Sequence, residues 1–90
     1  MWTVLEERDA QKAIGSLPPA VAEKYAYWLG IVRQSGPQGL RAQKSFHDEK
    51  LSGKLAHLRS SRLSLSWRVI YSVDADIITV TVERITHHKY

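Results

Sequence analysis

The clearest periodic stretch of the chain is Val21, Tyr25, Trp28, Leu29 and Val32, one apolar stripe at helical spacing with Glu23, Lys24 and Arg33 off it. Ahead of it, Ala10, Ala13, Ile14 and Leu17 stand at i, i+3, i+4 and i+7, which predicts a first helix with Asp9 as its N-cap. Pro18-Pro19 separates the two, and proline in a first helical turn is well tolerated because its missing N–H would be unsatisfied there anyway. Ser35-Gly36-Pro37-Gln38-Gly39 closes the second helix. The pattern therefore predicts a helical hairpin, preceded by a short β-prone start, Trp2-Thr3-Val4-Leu5. Residues 40–54 read as a loop anchored by Leu40, Phe46 and Leu51. From there the period changes to two. Residues 55–65 alternate imperfectly; Trp67 to Val73 is rich in aromatic and β-branched residues; Asp74-Ala75-Asp76 is a turn; and Ile77 to Val82 returns as the next strand. The polar residues from Glu83 to Tyr90 are expected to leave the sheet. Apolar strands of this kind must bury a face, and the Val21–Val32 stripe is the available cover. The expected fold is α+β: an N-terminal helical hairpin packed on a twisted, mainly antiparallel sheet of four to five strands.

Ninety residues with 43% apolar content suffice for one domain, residues 1–90, with one modest core. There is no cysteine, so neither disulfides nor a thiolate metal site is expected. No apolar run reaches membrane-span length and no signal-peptide core opens the chain, which points to a soluble cytoplasmic protein.

Charge changes the picture more than composition does. The net charge is +4, and residues 1–40 are balanced, with four basic and four acidic groups. Residues 41–68 carry seven basic groups against Asp48 and Glu49 alone. A basic half of this kind fits an anionic partner, or else a solvated face that keeps the protein soluble.

No phosphate-binding glycine loop, zinc spacing or nucleophile elbow is present. His87-His88 is adjacent rather than at helical metal spacing, so no metal or cofactor is expected. What remains is a set of cations and proton-transfer groups: Lys44, Lys50, Lys54, Arg59, Arg62, Arg68, His87, His88 and Tyr90. That set suits metal-independent RNA cleavage, in which the 2′-OH attacks the adjacent phosphorus. A base removes its proton, cations stabilise the phosphorane, and an acid protonates the departing 5′-oxygen. Arg68, between Trp67 and Val69 in an apolar strand, must face away from them. It is either a preorganised phosphate ligand, a plain solvent-facing arginine, or a partner for Glu83 across the hairpin. His47 and His57 read as surface or loop histidines.

The order of the pieces resembles the RelE/ParE superfamily of bacterial toxins, and the resemblance spans nearly the whole chain. It is carried by Arg59-Ser60-Ser61-Arg62-Leu63, by Trp67-Arg68-Val69-Ile70-Tyr71, by the turn around Leu51-Ser52-Gly53-Lys54 and by the ending His88-Lys89-Tyr90. In its RelE/HigB/YoeB-like branch the resemblance implies a toxin of a type II toxin–antitoxin system, a ribosome-dependent mRNA endonuclease that inhibits translation and is held inactive by a cognate antitoxin. It assigns Arg68 to the transition state and His88 with Tyr90 to acid–base work, His87 standing in for His88 if the register of the doubled histidine is shifted. It gives Glu49 as an alternative base and Lys50 and Lys54 as RNA contacts; from the basic set itself, Lys44, Arg59 and Arg62 are expected to hold the RNA backbone beside them. Two other readings stay open: a ParE-like gyrase inhibitor, which needs no catalytic group, and a non-catalytic nucleic-acid-binding module.

Overall fold

The computed structural model describes residues 1–87; the predicted site residues His88 and Tyr90 lie outside the described residues. The chain runs β1 (Thr3–Glu6), α1 (Arg8–Ile14), α2 (Pro19–Ser35), α3 (Pro37–Ala42), β2 (Glu49–Lys50), β3 (Leu58–Arg62), β4 (Trp67–Asp74) and β5 (Thr79–His87). Single turns of 3₁₀ helix occupy Lys44–Phe46 and Gly53–Leu55. The strands form one sheet in the order β1-β5-β4-β3-β2, antiparallel except for the parallel β1–β5 pair. The expected α+β architecture is present, with five strands. Among the described residues no helix is long and apolar enough to cross a membrane.

The helical stripe does what its spacing predicts. Val21, Tyr25, Trp28 and Val32 are all buried, and they meet Val69, Tyr71, Val80, Val82 and Ile85 from one face of the sheet. Burial of each such large side chain contributes on the order of 1.5–3 kcal/mol. Trp28 also meets Tyr71 edge-on, with centroids 5.4 Å apart at 70°, and stacks on Tyr25 at 5.7 Å. Alternation leaves the other sheet face, with Arg68, Ile70 and Arg84, uncovered by the helices.

Several boundaries differ from the sequence reading. The first helix begins at Arg8 with Glu7 in the N-cap position, so Asp9 is in the first turn rather than capping it. The supposed loop at 40–54 holds the end of α3, both 3₁₀ turns and β2; Leu40 and Phe46, fully buried, are its anchors as expected. β3 is confined to 58–62, because a tight turn follows, in which the Ser64 hydroxyl oxygen accepts the N–H groups of Ser66 and Trp67. The β4–β5 turn is longer than Asp74-Ala75-Asp76. Asp74 does accept the Asp76 N–H at 3.2 Å, but Ile77 and Ile78 belong to the turn, with Ile78 at φ 49°. Most consequentially, Glu83–His87 do not leave the sheet. They continue β5 opposite β4, pairing Arg84 with Ile70, Thr86 with Arg68 and His87 with Trp67. Polar residues are at home there because that half of the strand borders an open groove.

Candidate functional site

The open sheet face forms a groove of about 840 Å³. Its floor follows directly from strand register. One row crosses four strands as Glu49, Ser60, Ile70 and Arg84, and the next brings Arg68 beside Thr86. The walls come from the start of α1 (Glu7, Arg8, Asp9) and from the segment after β2 (Leu51, Leu55, His57).

A β-bulge shapes the floor. Ile70 pairs with Arg84 and Tyr71 with Val82, so Glu83 is the extra residue. Two consecutive side chains, Glu83 and Arg84, thereby face the groove, where strict alternation would send one into the core. Glu83 is fixed by the Ser72 hydroxyl, which donates to Oε2 at 2.9 Å. The Arg68–Glu83 pair considered from the sequence is replaced in register by Arg68–Thr86.

The groove is of mixed charge rather than uniformly basic. Glu7, Asp9, Glu49 and Glu83 line it together with Arg8, Arg68, Arg84 and His57. Of the sequence-predicted residues it brings together Glu49 and Arg68. None of Lys44, Lys50, Lys54, Arg59 and Arg62 lines it. Lys50 alternates to the opposite side of β2 from Glu49; Lys54 is exposed on the 3₁₀ turn whose Leu55 forms part of the wall; Lys44 is exposed on the earlier turn. His87 stacks on Trp67 with centroids 4.6 Å apart, on the alternation opposite to Arg68.

Arg59 is engaged on the covered face. Its Nε and terminal nitrogen donate to Asp48 Oδ2 at 3.1 and 2.9 Å, while Asp48 Oδ1 accepts from Ser61 at 2.8 Å and from the Tyr71 hydroxyl at 2.5 Å. Trp28 Nε1 in turn donates to Ser61 Oγ at 3.0 Å. The Asp48 side chain is wholly buried and that of Arg59 is 20% exposed. Burial and the Asp48 hydrogen bond both push the Tyr71 phenol above its ordinary value, with Arg59 opposing. Burial works against the Arg59 charge, but Asp48 and Tyr71 outweigh it and raise the pKa. The network fastens the segment before β2 to β3, β4 and α2, and so fixes where the next residue, Glu49, enters the groove.

Arg84 and Arg8 were not singled out from the sequence, Glu83 was considered only as a partner for Arg68, and His57 was read as a surface or loop histidine. Alternation through Ile85 and Thr86 could have suggested the strand that carries Arg84; nothing in the residue types announces the bulge or the folding of α1 against the groove.

No protein-family profile matches the chain, and no curated protein matches it. Solved structures do. A chain of the archaeal RelE–RelB complex from Pyrococcus horikoshii is 25% identical over 96% of this chain and 93% of its own, with a TM-score of 0.75. The YoeB/ParE toxin from Agrobacterium tumefaciens is 17% identical over 97% and 99%, at 0.77. The toxin–antitoxin complex RelBE2 from Mycobacterium tuberculosis contributes a third similar chain, 22% identical over 97% and 98%, at 0.64.

Proposed function

We propose that this chain, which carries the RelE/ParE-type toxin fold, is the toxin of a toxin–antitoxin pair and cleaves messenger RNA on the ribosome. Two of the similar structures are toxin–antitoxin complexes, which supports a protein antitoxin as its partner. The observation that carries the nuclease reading is the shared groove of Glu49 and Arg68, a carboxylate and a cation on rigid strands at one open face.

In the proposed reaction Glu49 takes the proton of the 2′-OH as its oxygen bonds to phosphorus. Arg68, joined by Arg84, stabilises the charge that gathers on the phosphorane oxygens. The bond from phosphorus to the 5′-oxygen then breaks, and an acid protonates that oxygen. The products are a 2′,3′-cyclic phosphate and a free 5′-OH. With His87 stacked on Trp67, the acid assigned here is His88 or Tyr90. A deoxy strand lacks the nucleophile and is left intact.

The test is to induce the chain in a bacterium and map RNA 5′ ends, with Glu49→Gln and Arg68→Gln in parallel. Codon-phased cuts that disappear in both folded variants are expected. Intact message with accumulating DNA breaks overturns the nuclease reading and points to a gyrase target; full cutting by both folded variants overturns the roles given to Glu49 and Arg68.

A further inference from the structure

One basic residue of the chain's second half, Arg62, meets Lys24 of α2 at a different place from the groove. A smaller pocket of about 270 Å³ lies between α2 and the β3–β4 turn, lined by Lys24, Ser45, His47, Arg62 and Ser64 with Leu63 and Leu65. We propose that this pocket is a phosphate site, holding a phosphodiester of the same nucleic-acid strand outside the groove.

Among the described residues no carboxylate lines the pocket, whereas four line the groove. The nearest acid in sequence, Asp48, is turned inward and committed to Arg59, Ser61 and Tyr71. His47 makes this possible: at φ 44° it takes the left-handed conformation, and the reversal sends Asp48 into the core while the imidazole faces the pocket.

The donors are also arranged to point outward. Lys24 Nζ lies 4.6 Å from the centroid of the Phe46 ring and donates to Ser45 Oγ at 3.0 Å. With its oxygen so engaged, the Ser45 hydroxyl has its own proton to give. Ser64 Oγ accepts two backbone N–H groups, at 3.3 and 3.2 Å, which leaves its proton for a ligand in the same way. Among the described residues no hydrogen bond or ion pair engages the Arg62 guanidinium. Two cations, two hydroxyl donors and an imidazole, with no carboxylate among the described lining residues, fit a tetrahedral oxyanion.

Register argues for a strand over a free ion. Arg62 is the cross-strand partner of Arg68, so this pocket and the groove share a pair of residues on adjacent strands. A phosphate at each would belong to one polynucleotide passing over β3. The inference rests on the groove being a nucleic-acid site, though not on its cutting.

The test uses the full chain and a 2′-O-methyl oligoribonucleotide, which binds as RNA but lacks the nucleophile. Binding should move the backbone amide resonances of Ser45 and Ser64. Arg62→Gln and Lys24→Gln should each weaken it about tenfold, as expected for losing a charge-assisted contact. Arg62→Gln should also lower the slope of log affinity against log salt by about 0.7. Unchanged thermal unfolding of Arg62→Gln guards against a misfolded variant. If Arg84→Gln weakens binding and Arg62→Gln does not, the groove reading stands and this inference falls; if neither does, both fall. Resonance shifts with inorganic phosphate but none with the oligonucleotide overturn the assignment to a strand.

Discussion

Tyr71 and Asp48, 23 positions apart in sequence, meet at 2.5 Å, the phenol donating to a carboxylate whose side chain has no exposed surface. Because Asp48 also neutralises Arg59, truncating it leaves a mostly buried guanidinium without its counter-charge. Asp48→Ala should therefore cost roughly 3–5 kcal/mol, read as a shift in the urea midpoint. A loss under about 1 kcal/mol would mean that water replaces the carboxylate freely.

The two buried phenols set a limit at high pH. Burial together with Glu6, to which Tyr25 donates at 2.5 Å, pushes Tyr25 up, and burial with Asp48 does the same for Tyr71. Both folded-state values lie above the ordinary 10.0. Above pH 10 the unfolded chain loses these protons while the folded chain keeps them, so stability is full below that pH and falls as pH rises beyond it. Tyr25→Phe combined with Tyr71→Phe should flatten the fall in a series of unfolding curves between pH 9 and 12. An equally steep fall in the double variant would assign it elsewhere.

Two glycines should respond in opposite directions to alanine. Gly36 has φ +71°, and a Cβ there would come within 2.5 Å of the Trp2 indole. Gly36→Ala should cost about 2 kcal/mol or more, the sum of backbone strain and a clash. Gly30 is in the middle of α2 with nothing within 4 Å of its would-be Cβ. Gly30→Ala should raise stability by up to about 1 kcal/mol through helix propensity. Equal signs in a pair of melting curves would refute the distinction.

Ile78 is a β-branched residue at φ 49° with half its surface in water. Side chains branched at Cβ resist that conformation, and Asn accepts it. Ile78→Asn should stabilise the protein by about 1 kcal/mol. A drop in melting temperature would show that the isoleucine makes contacts worth more than the strain.

Arg84 is exposed, so removing it should shift stability by less than about 0.5 kcal/mol. If it shares the phosphorane charge with Arg68, Arg84→Ala should nonetheless lower cleavage about 100-fold. Unaltered cleavage by the variant would confine the electrostatic role to Arg68.

The core was legible because it follows periodicity. The positions of Val21, Tyr25, Trp28 and Val32 on one helix face, and of Val69 and Tyr71 on one strand face, need only the two repeat lengths. Asp48 was not legible: read by residue type it is one more surface charge, and its burial depends on Ser61, Arg59 and Tyr71 arriving from elsewhere. The same holds for Arg59, counted as a free cation until Asp48 was found beside it. Charge totals along the chain cannot locate a basic surface, since they do not tell an engaged arginine from an open one. Glu83 and Arg84 were hidden by the bulge, which breaks the alternation on which strand reading depends.

The parallel pairing of β1 with β5 orders events in time. Thr3 has no strand partner until Thr79 has been synthesised, and Glu6 none until Val82. The strand bearing Glu83, Arg84 and Thr86 is made later than the other elements of the described residues, so a chain still in synthesis lacks that side of the groove's floor. A nascent copy can bury the helical stripe only provisionally, and closing the sheet is a late step.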